Sequence, residues 1–283
     1  MMRNLVVFSF LILFFSGCDG CKTKTDDSKV ELEANDSLKF ELIELKKVHD
    51  GCNDSICTYA IIKYPKFVSG ANNEVLSIIN NNIIDSLSYS IILNNKPNSL
   101  QEVIDQFIAS YIDVIKDFEE TDKEDATFIN VWEMERKVTV DYNKQGLLCL
   151  NLIDYEFTGG AHGLTTFNFM NFSTKNGGLL SVKSVFKADA LKEMNKLADD
   201  KFRMANGLEP SQSYIENGFF IKTQTLELNN NFAISDTGIT FVFNPYEIAP
   251  YSEGHILIHF SFDEVENFIQ DNTEIKNLIK KII

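Results

Sequence analysis

The sequence predicts an α+β fold in which antiparallel sheets pack against helices. Three observations carry that expectation. Apolar and β-branched residues recur at period two in clustered segments. Stretches with the helical period of 3.6 separate those clusters, without regular strand–helix–strand alternation. The helical stretches also carry their own start and stop signals.

In chain order, residues 38–48 and 58–64 read as strands, the second closed by Pro65, which cannot donate to a ladder. Residues 72–87 place apolar side chains at 75, 79, 83 and 87, a helical period. Residues 99–118 form the clearest helix. Ser99 and Glu102 have capping-box spacing, and Leu100, Val103, Ile104, Phe107, Ile108, Tyr111, Ile115 and Phe118 make one apolar stripe. Strands are expected at 128–134, 137–142, 147–157 and 165–172, followed by a turn at Asn176-Gly177-Gly178 and an apolar segment, 179–186. A helix over 188–205 ends at Gly207. Strands over 219–228, 231–234, 239–243 and 255–260 follow, with Asp236-Thr237-Gly238 as a hairpin turn, and 263–269 and 273–283 read as helical.

Residues 1–17 read as a signal peptide. Met1 to Asn4 is a charged n-region, 5–15 an apolar h-region, and Ser16-Gly17 precede Cys18 as a cleavage site would. As a helix, residues 5–15 would rise only about 17 Å, against a hydrocarbon core of about 30 Å. Cys18 directly after Ser-Gly favours lipidation there over a plain secretory signal. Residues 18–36 are polar and charged without apolar period, which predicts a flexible tether with a span of about 25 Å. The chain is thus expected in the cell envelope, outside the cytoplasm and anchored to a membrane through lipid on Cys18.

The remaining 265 or so residues suit one large domain or two small ones. With residues 1–17 removed, 25 basic residues face 41 acidic ones. Such a surface repels nucleic acid and attracts cationic partners. Only Arg3, Arg136 and Arg203 are arginines, which weakens a nucleic-acid role further, because Arg is the preferred bidentate phosphate ligand. Cys52 and Cys57 bracket a polar turn, and an oxidising compartment permits their pairing, worth about 2 kcal/mol for so small a loop. Cys149, in an apolar run, reads as a buried thiol.

Two stretches are distinctive. Tyr155-Glu156-Phe157-Thr158-Gly159-Gly160-Ala161-His162-Gly163 leaves a strand through a glycine-rich loop. Such a loop can present backbone N–H groups and one imidazole to a ligand, or it can be a tight turn tied to a neighbouring strand. Asn244-Pro245-Tyr246-Glu247-Ile248-Ala249-Pro250-Tyr251 is stiffened by its prolines and carries two amphipathic rings, suited either to sugar stacking or to burial. In this order the two stretches resemble the C-terminal extracytoplasmic domain of the RsiV/PdaC type. Cys52-x4-Cys57 followed by a strand ending in Tyr64-Pro65 resembles the domain that usually precedes it.

The resemblance implies two consecutive subdomains, 37–145 and 146–283, and a cell-envelope binding role. It implies a cationic protein such as a lysozyme, or cell-wall glycan, as partner. Ligand contacts are expected from Tyr155, Thr158, Gly159, Gly160, His162, Tyr246 and Tyr251. No Gly-x-Ser-x-Gly elbow and no His-Glu-x-x-His occurs, and His255 and His259 stand about 13 Å apart along one strand face. No catalytic residue, metal or cofactor is therefore expected, and the chain is read as non-enzymatic. The competing expectations are an envelope hydrolase acting on peptidoglycan or acyl esters, and an assembly or spacer protein.

Overall fold

The structure, a computed structural model, describes residues 37–50, 57–89, 97–121, 131–271 and 273–282, and Asn35–Ile283 form one compact unit. The signal peptide, Cys18, the tether and Cys52 lie outside the described residues.

Six strands form one sheet in sequence order: β1 Lys39–Val48, β2 Tyr59–Ser69, β3 Glu133–Lys144, β4 Leu147–Phe157, β5 Leu164–Ser173 and β6 Leu179–Leu180. All neighbours pair antiparallel except β2 and β3, which are parallel. A parallel pair needs a crossover, and here α1 Asn73–Ser88 and α2 Leu100–Thr121 supply it. Asn72 caps α1 by accepting from the Val75 N–H at 2.9 Å. Ser99 caps α2 as expected, accepting from Glu102 N–H, while the Glu102 carboxylate reaches one residue further back and accepts from the Asn98 N–H. A second sheet contains β7 Phe232–Ile234, β8 Gly238–Phe243 and β9 Ile256–Ser261, accompanied by α3 Val182–Val185, α4 Leu191–Asn206, α5 Phe262–Val265 and α6 Glu274–Ile282.

The two faces of the large sheet carry separate cores. Leu148, Leu150 and Leu152 of β4 join α1 and α2 on one face. Leu147 and Cys149 join Phe186, Phe202, Phe232, Phe241 and Phe260 on the other. This double burial explains why the start of β4 reads as a continuous apolar run. Burial pushes the Cys149 thiol up to about 12, so it stays protonated and inert. Asparagines join the two sheets by imitating a strand. Asn244 accepts from Phe167 N–H at 2.7 Å and donates to its carbonyl at 3.1 Å, and Asn231 accepts from Phe169 N–H and donates to Phe167 carbonyl. Each main-chain group so satisfied avoids a desolvation cost of about 1–3 kcal/mol.

A boundary at 145/146 falls in the turn of the β3–β4 hairpin, so the regions on its two sides share one sheet. The core divides; the sheet does not. Residues 219–228 form no strand, contrary to the alternating pattern. Side chains of α4 hold that segment instead: Leu226 N–H donates to Asp199, Leu228 N–H to Asn195, and Arg203 donates to the carbonyl of Gln224. Residues 179–186 likewise become a two-residue strand and a single helical turn whose Ser181 makes a capping box with Ser184. Over 263–269 the helix stops at Val265, and Ile269 bridges to Phe186. β2 continues through Pro65 because β3 pairs only with Tyr59–Lys63, leaving an open edge where a missing N–H is tolerated.

Candidate functional site

β4 changes character along its length. Its first six residues are buried and its last five only half-buried. Over that second stretch the sheet face opposite α1 and α2 runs out from under the β7–β9 layer, and the two distinctive loops meet at its margin.

The glycine loop places Thr158 and Gly160 in solvent, with Gly159 and Gly160 at φ of 102° and 93° and open space around both. That left-handed backbone is where glycine is required. Gly163 is required for a different reason, since an added Cβ would sit 2.4 Å from Tyr155 Cε2. The Tyr155 ring therefore lies on the loop backbone. Gly163 carbonyl accepts the Tyr251 hydroxyl at 3.1 Å and lies 3.0 Å from His162 Nδ1. A carbonyl can only accept, so Nδ1 carries the proton and Nε2 of the neutral ring is left as an acceptor. The His162 ring stacks on Tyr251 at 3.7 Å and 16°, and Tyr246 lies 5.8 Å from Tyr251.

Tyr246 and Tyr251 are 52% and 36% exposed, so of the two readings left open, stacking platform or buried ties, the rings are accessible. Tyr246 has a left-handed φ of 72°, a conformation a bulky side chain rarely adopts, held by its N–H donating to the Ala249 carbonyl. The seven expected ligand residues thus fall into a converged group, Tyr155, His162, Tyr246 and Tyr251, and a loop tip, Thr158, Gly159 and Gly160, with open space around both glycines.

The platform continues onto the sheet. Tyr155 donates to Glu133 at 3.1 Å, and Tyr59 donates to Glu135 at 2.8 Å. Burial first, then these carboxylates, pushes both tyrosine hydroxyls upward, so they remain donors at neutral pH. Tyr59, Glu133 and Glu135 were not among the expected site residues. The signal was the alternation in Glu133-Met134-Glu135-Arg136, whose even positions are buried and whose odd positions are not. On the helix side of the same strands, Arg136 is buried, pairs with Asp154 at 3.3 Å and Glu156 at 3.8 Å, and donates to Leu87 carbonyl at the end of α1. That cluster ties a helix end on the sheet face opposite Tyr155, Glu133 and Glu135.

His255 stacks on Phe167 and hydrogen-bonds the Thr165 carbonyl, whereas His259 pairs with Thr240. Among the described residues no group of three His, Cys, Asp or Glu side chains is placed to hold a metal ion. Cys57 lies just before β2, and its expected disulfide partner Cys52 lies outside the described residues. Among the described residues, no helix is long and apolar enough to cross a membrane.

Comparison with known proteins defines the class. The family model described as Deacetylase PdaC matches residues 52–165, and the one described as Protein of unknown function (DUF3298) matches 183–263. The two matches support the resemblance of the two motifs to the PdaC/DUF3298 type. A curated relative, peptidoglycan-N-acetylmuramic acid deacetylase PdaC of Bacillus subtilis (strain 168), is 23% identical over 219 residues, covering 74% of this chain and 45% of that protein. The chain thus spans less than half of that relative's length. Crystal structures of DUF3298 family proteins share the fold. One from Bacteroides fragilis has a TM-score of 0.68 at 20% identity, covering 88% of this chain and 100% of that one. One from Pseudomonas aeruginosa PAO1 has a TM-score of 0.63 at 20% identity, covering 84% and 97%. These findings overturn the expectation of a non-enzymatic chain: a deacetylase-named family model covers 52–165, and the curated relative carries a deacetylase name.

Proposed function

We propose that this is a peptidoglycan-directed protein of the cell envelope, whose His162–Tyr251–Tyr246 platform stacks on the glycan. The observation that carries this reading is the convergence of the two loops: Tyr251 bonds the carbonyl of Gly163, 88 residues away in sequence, its ring stacks on His162 and lies beside Tyr246, and the rings stay exposed. Exposed rings suit the apolar faces of pyranose rings, and the acceptor Nε2 and the tyrosine hydroxyls suit their edges. The peptidoglycan deacetylase name of the relative agrees in substrate class. Lipid on Cys18, the tether over 18–36 and a Cys52–Cys57 disulfide belong to the same proposal, since they would hold the platform near the wall. Incorporation of labelled palmitate, lost on Cys18→Ser, checks the anchor.

Retention of the chain on purified sacculi tests the binding reading. Wild type is expected to sediment with sacculi and Tyr251→Ala to remain in solution. Equal retention of both removes the platform from the account. A second reading, deacetylation by the chain itself, is favoured by the match of the deacetylase-named model to the residues holding Tyr59, Glu133, Glu135 and Tyr155. It predicts acetate release from peptidoglycan that falls with Glu133→Gln. A cationic protein partner is favoured by the net charge of −15 and predicts heat on titration with lysozyme that disappears at high salt.

A further inference from the structure

Beside the platform, on the same sheet face, lies a groove of about 390 Å³ lined by Lys46, Val48, Tyr59, Ile61, Glu133 and Glu135, with Cys57 and Val131 at one end. Two cross-strand rows build it. Lys46 pairs with Ile61, Ile61 with Glu135 and Glu135 with Tyr155; alongside, Val48 pairs with Tyr59 and Tyr59 with Glu133.

The rows fix where charge can go. Lys46 and Glu135 are two strand spacings apart, about 10 Å, with the apolar Ile61 between them. That separation is too long for an ion pair, and Lys46 forms none among the described residues. Glu133 and Glu135, two residues apart on one strand, stand about 7 Å apart. Each is oriented by a tyrosine hydroxyl on one oxygen, Glu133 by Tyr155 and Glu135 by Tyr59, and each keeps the other oxygen without a partner among the described residues. The groove therefore presents prearranged acceptors for a cation at one side, a cation for an anion at the other, and apolar surface from Val48 and Ile61 between.

We infer that this groove binds a short peptide bearing a free side-chain ammonium and a carboxylate, the chemistry of the peptide stem on a cell-wall glycan. The inference rests on the glycan reading above and extends it. Tyr155 belongs to both sites, its hydroxyl on Glu133 and its ring on Gly163, so a sugar on the platform and a peptide in the groove are neighbours. Glu133 and Glu135 receive the ammonium. Lys46 receives the carboxylate. A sugar alone would use neither charge, and a purely cationic chain would be repelled by Lys46.

Calorimetric titration of the full chain separates the possibilities. The probes are a synthetic stem tetrapeptide with its side-chain amine free, the same peptide with that amine acetylated, and a peptide-free glycan strand. The free-amine peptide is expected to bind at least about tenfold more tightly than the acetylated one, because a charge-assisted hydrogen bond is lost. Glu135→Gln, at an exposed position, and Lys46→Gln should each weaken peptide binding while glycan binding keeps its wild-type value. Tyr251→Ala should do the reverse. Equal binding of free and acetylated peptides, or no binding of either by a wild-type chain that still takes up glycan, overturns the groove assignment and leaves the platform intact. Peptide binding without glycan binding supports the groove and overturns the glycan reading. Binding of neither overturns both. An unchanged unfolding midpoint in Glu135→Gln and Lys46→Gln confirms that the readout is local.

Discussion

The two halves of β4 show how one strand serves two purposes. Its first half is enclosed on both faces, between the α1–α2 layer and the β7–β9 layer, and every side chain there packs. Its second half keeps the helix layer on one face and leaves the other to tyrosines, glutamates and two loops. Around the enclosed half, Asp199 of α4 is buried with Arg203, Tyr214 and Leu226 as partners, whereas the Oδ1 atoms of Asn151 and Asn171 are buried without a hydrogen-bond partner among the described residues. In the open half, polar groups hold one another in position and keep unused acceptors facing solvent. The first pattern stabilises and the second waits for a ligand. That contrast teaches that the burial of a strand, read residue by residue, can mark where a scaffold ends and a site begins.

Substitutions should separate the halves. The largest effect on stability is expected from Asp199→Ala, which leaves the Arg203 guanidinium and the Tyr214 hydroxyl buried without their carboxylate. A loss of about 3–5 kcal/mol in denaturant unfolding is expected, with sacculus retention unchanged in the fraction that stays folded. Gly163→Ala comes next. Its methyl must displace the Tyr155 ring, costing about 1–3 kcal/mol and, unlike Asp199→Ala, abolishing retention.

Acid should act on the enclosed half first at α6. Burial opposes the charge of Glu274, but its own backbone N–H, Ser173 and Lys175 outweigh that and hold its carboxyl below the ordinary 4.5. A depressed folded value means the stabilisation is complete above 4.5 and is lost as pH falls through the folded value. Amide exchange of α6 should therefore accelerate below about pH 4.5 before that of β4 and β5, and Glu274→Gln should remove the pH dependence. The smallest stability change belongs to Tyr246→Gly. It relieves a left-handed tyrosine worth about 1 kcal/mol, so the unfolding midpoint should hold or rise while retention on sacculi falls.

Much of this was legible in the residues. The spacing of Val75, Ile79, Ile83 and Leu87 marked α1, and 147–157 matched β4 residue for residue, because local period and burial agree there. The two loops were visible as motifs, and four of their residues do meet. What sequence concealed was tertiary. The strand-like pattern of 219–228 loses to hydrogen bonds from Asn195, Asp199 and Arg203, which sit 20 and more residues away. Tyr59, Glu133 and Glu135 look like ordinary exposed strand residues until the parallel pairing of β2 with β3 sets them side by side. The division of the core between two faces of one sheet was hidden for the same reason, since a hairpin spanning 145/146 leaves no mark of a shared wall.

Hydrogen exchange on the chain with and without saturating peptidoglycan fragments tests the central claim most directly. Added protection should appear at 155–163 and 244–254 and stop short of α1, α2 and the β7–β8 hairpin. Protection centred on the helix layer, or none at any amide while the fragments are bound, would contradict an open sheet face built to receive the wall.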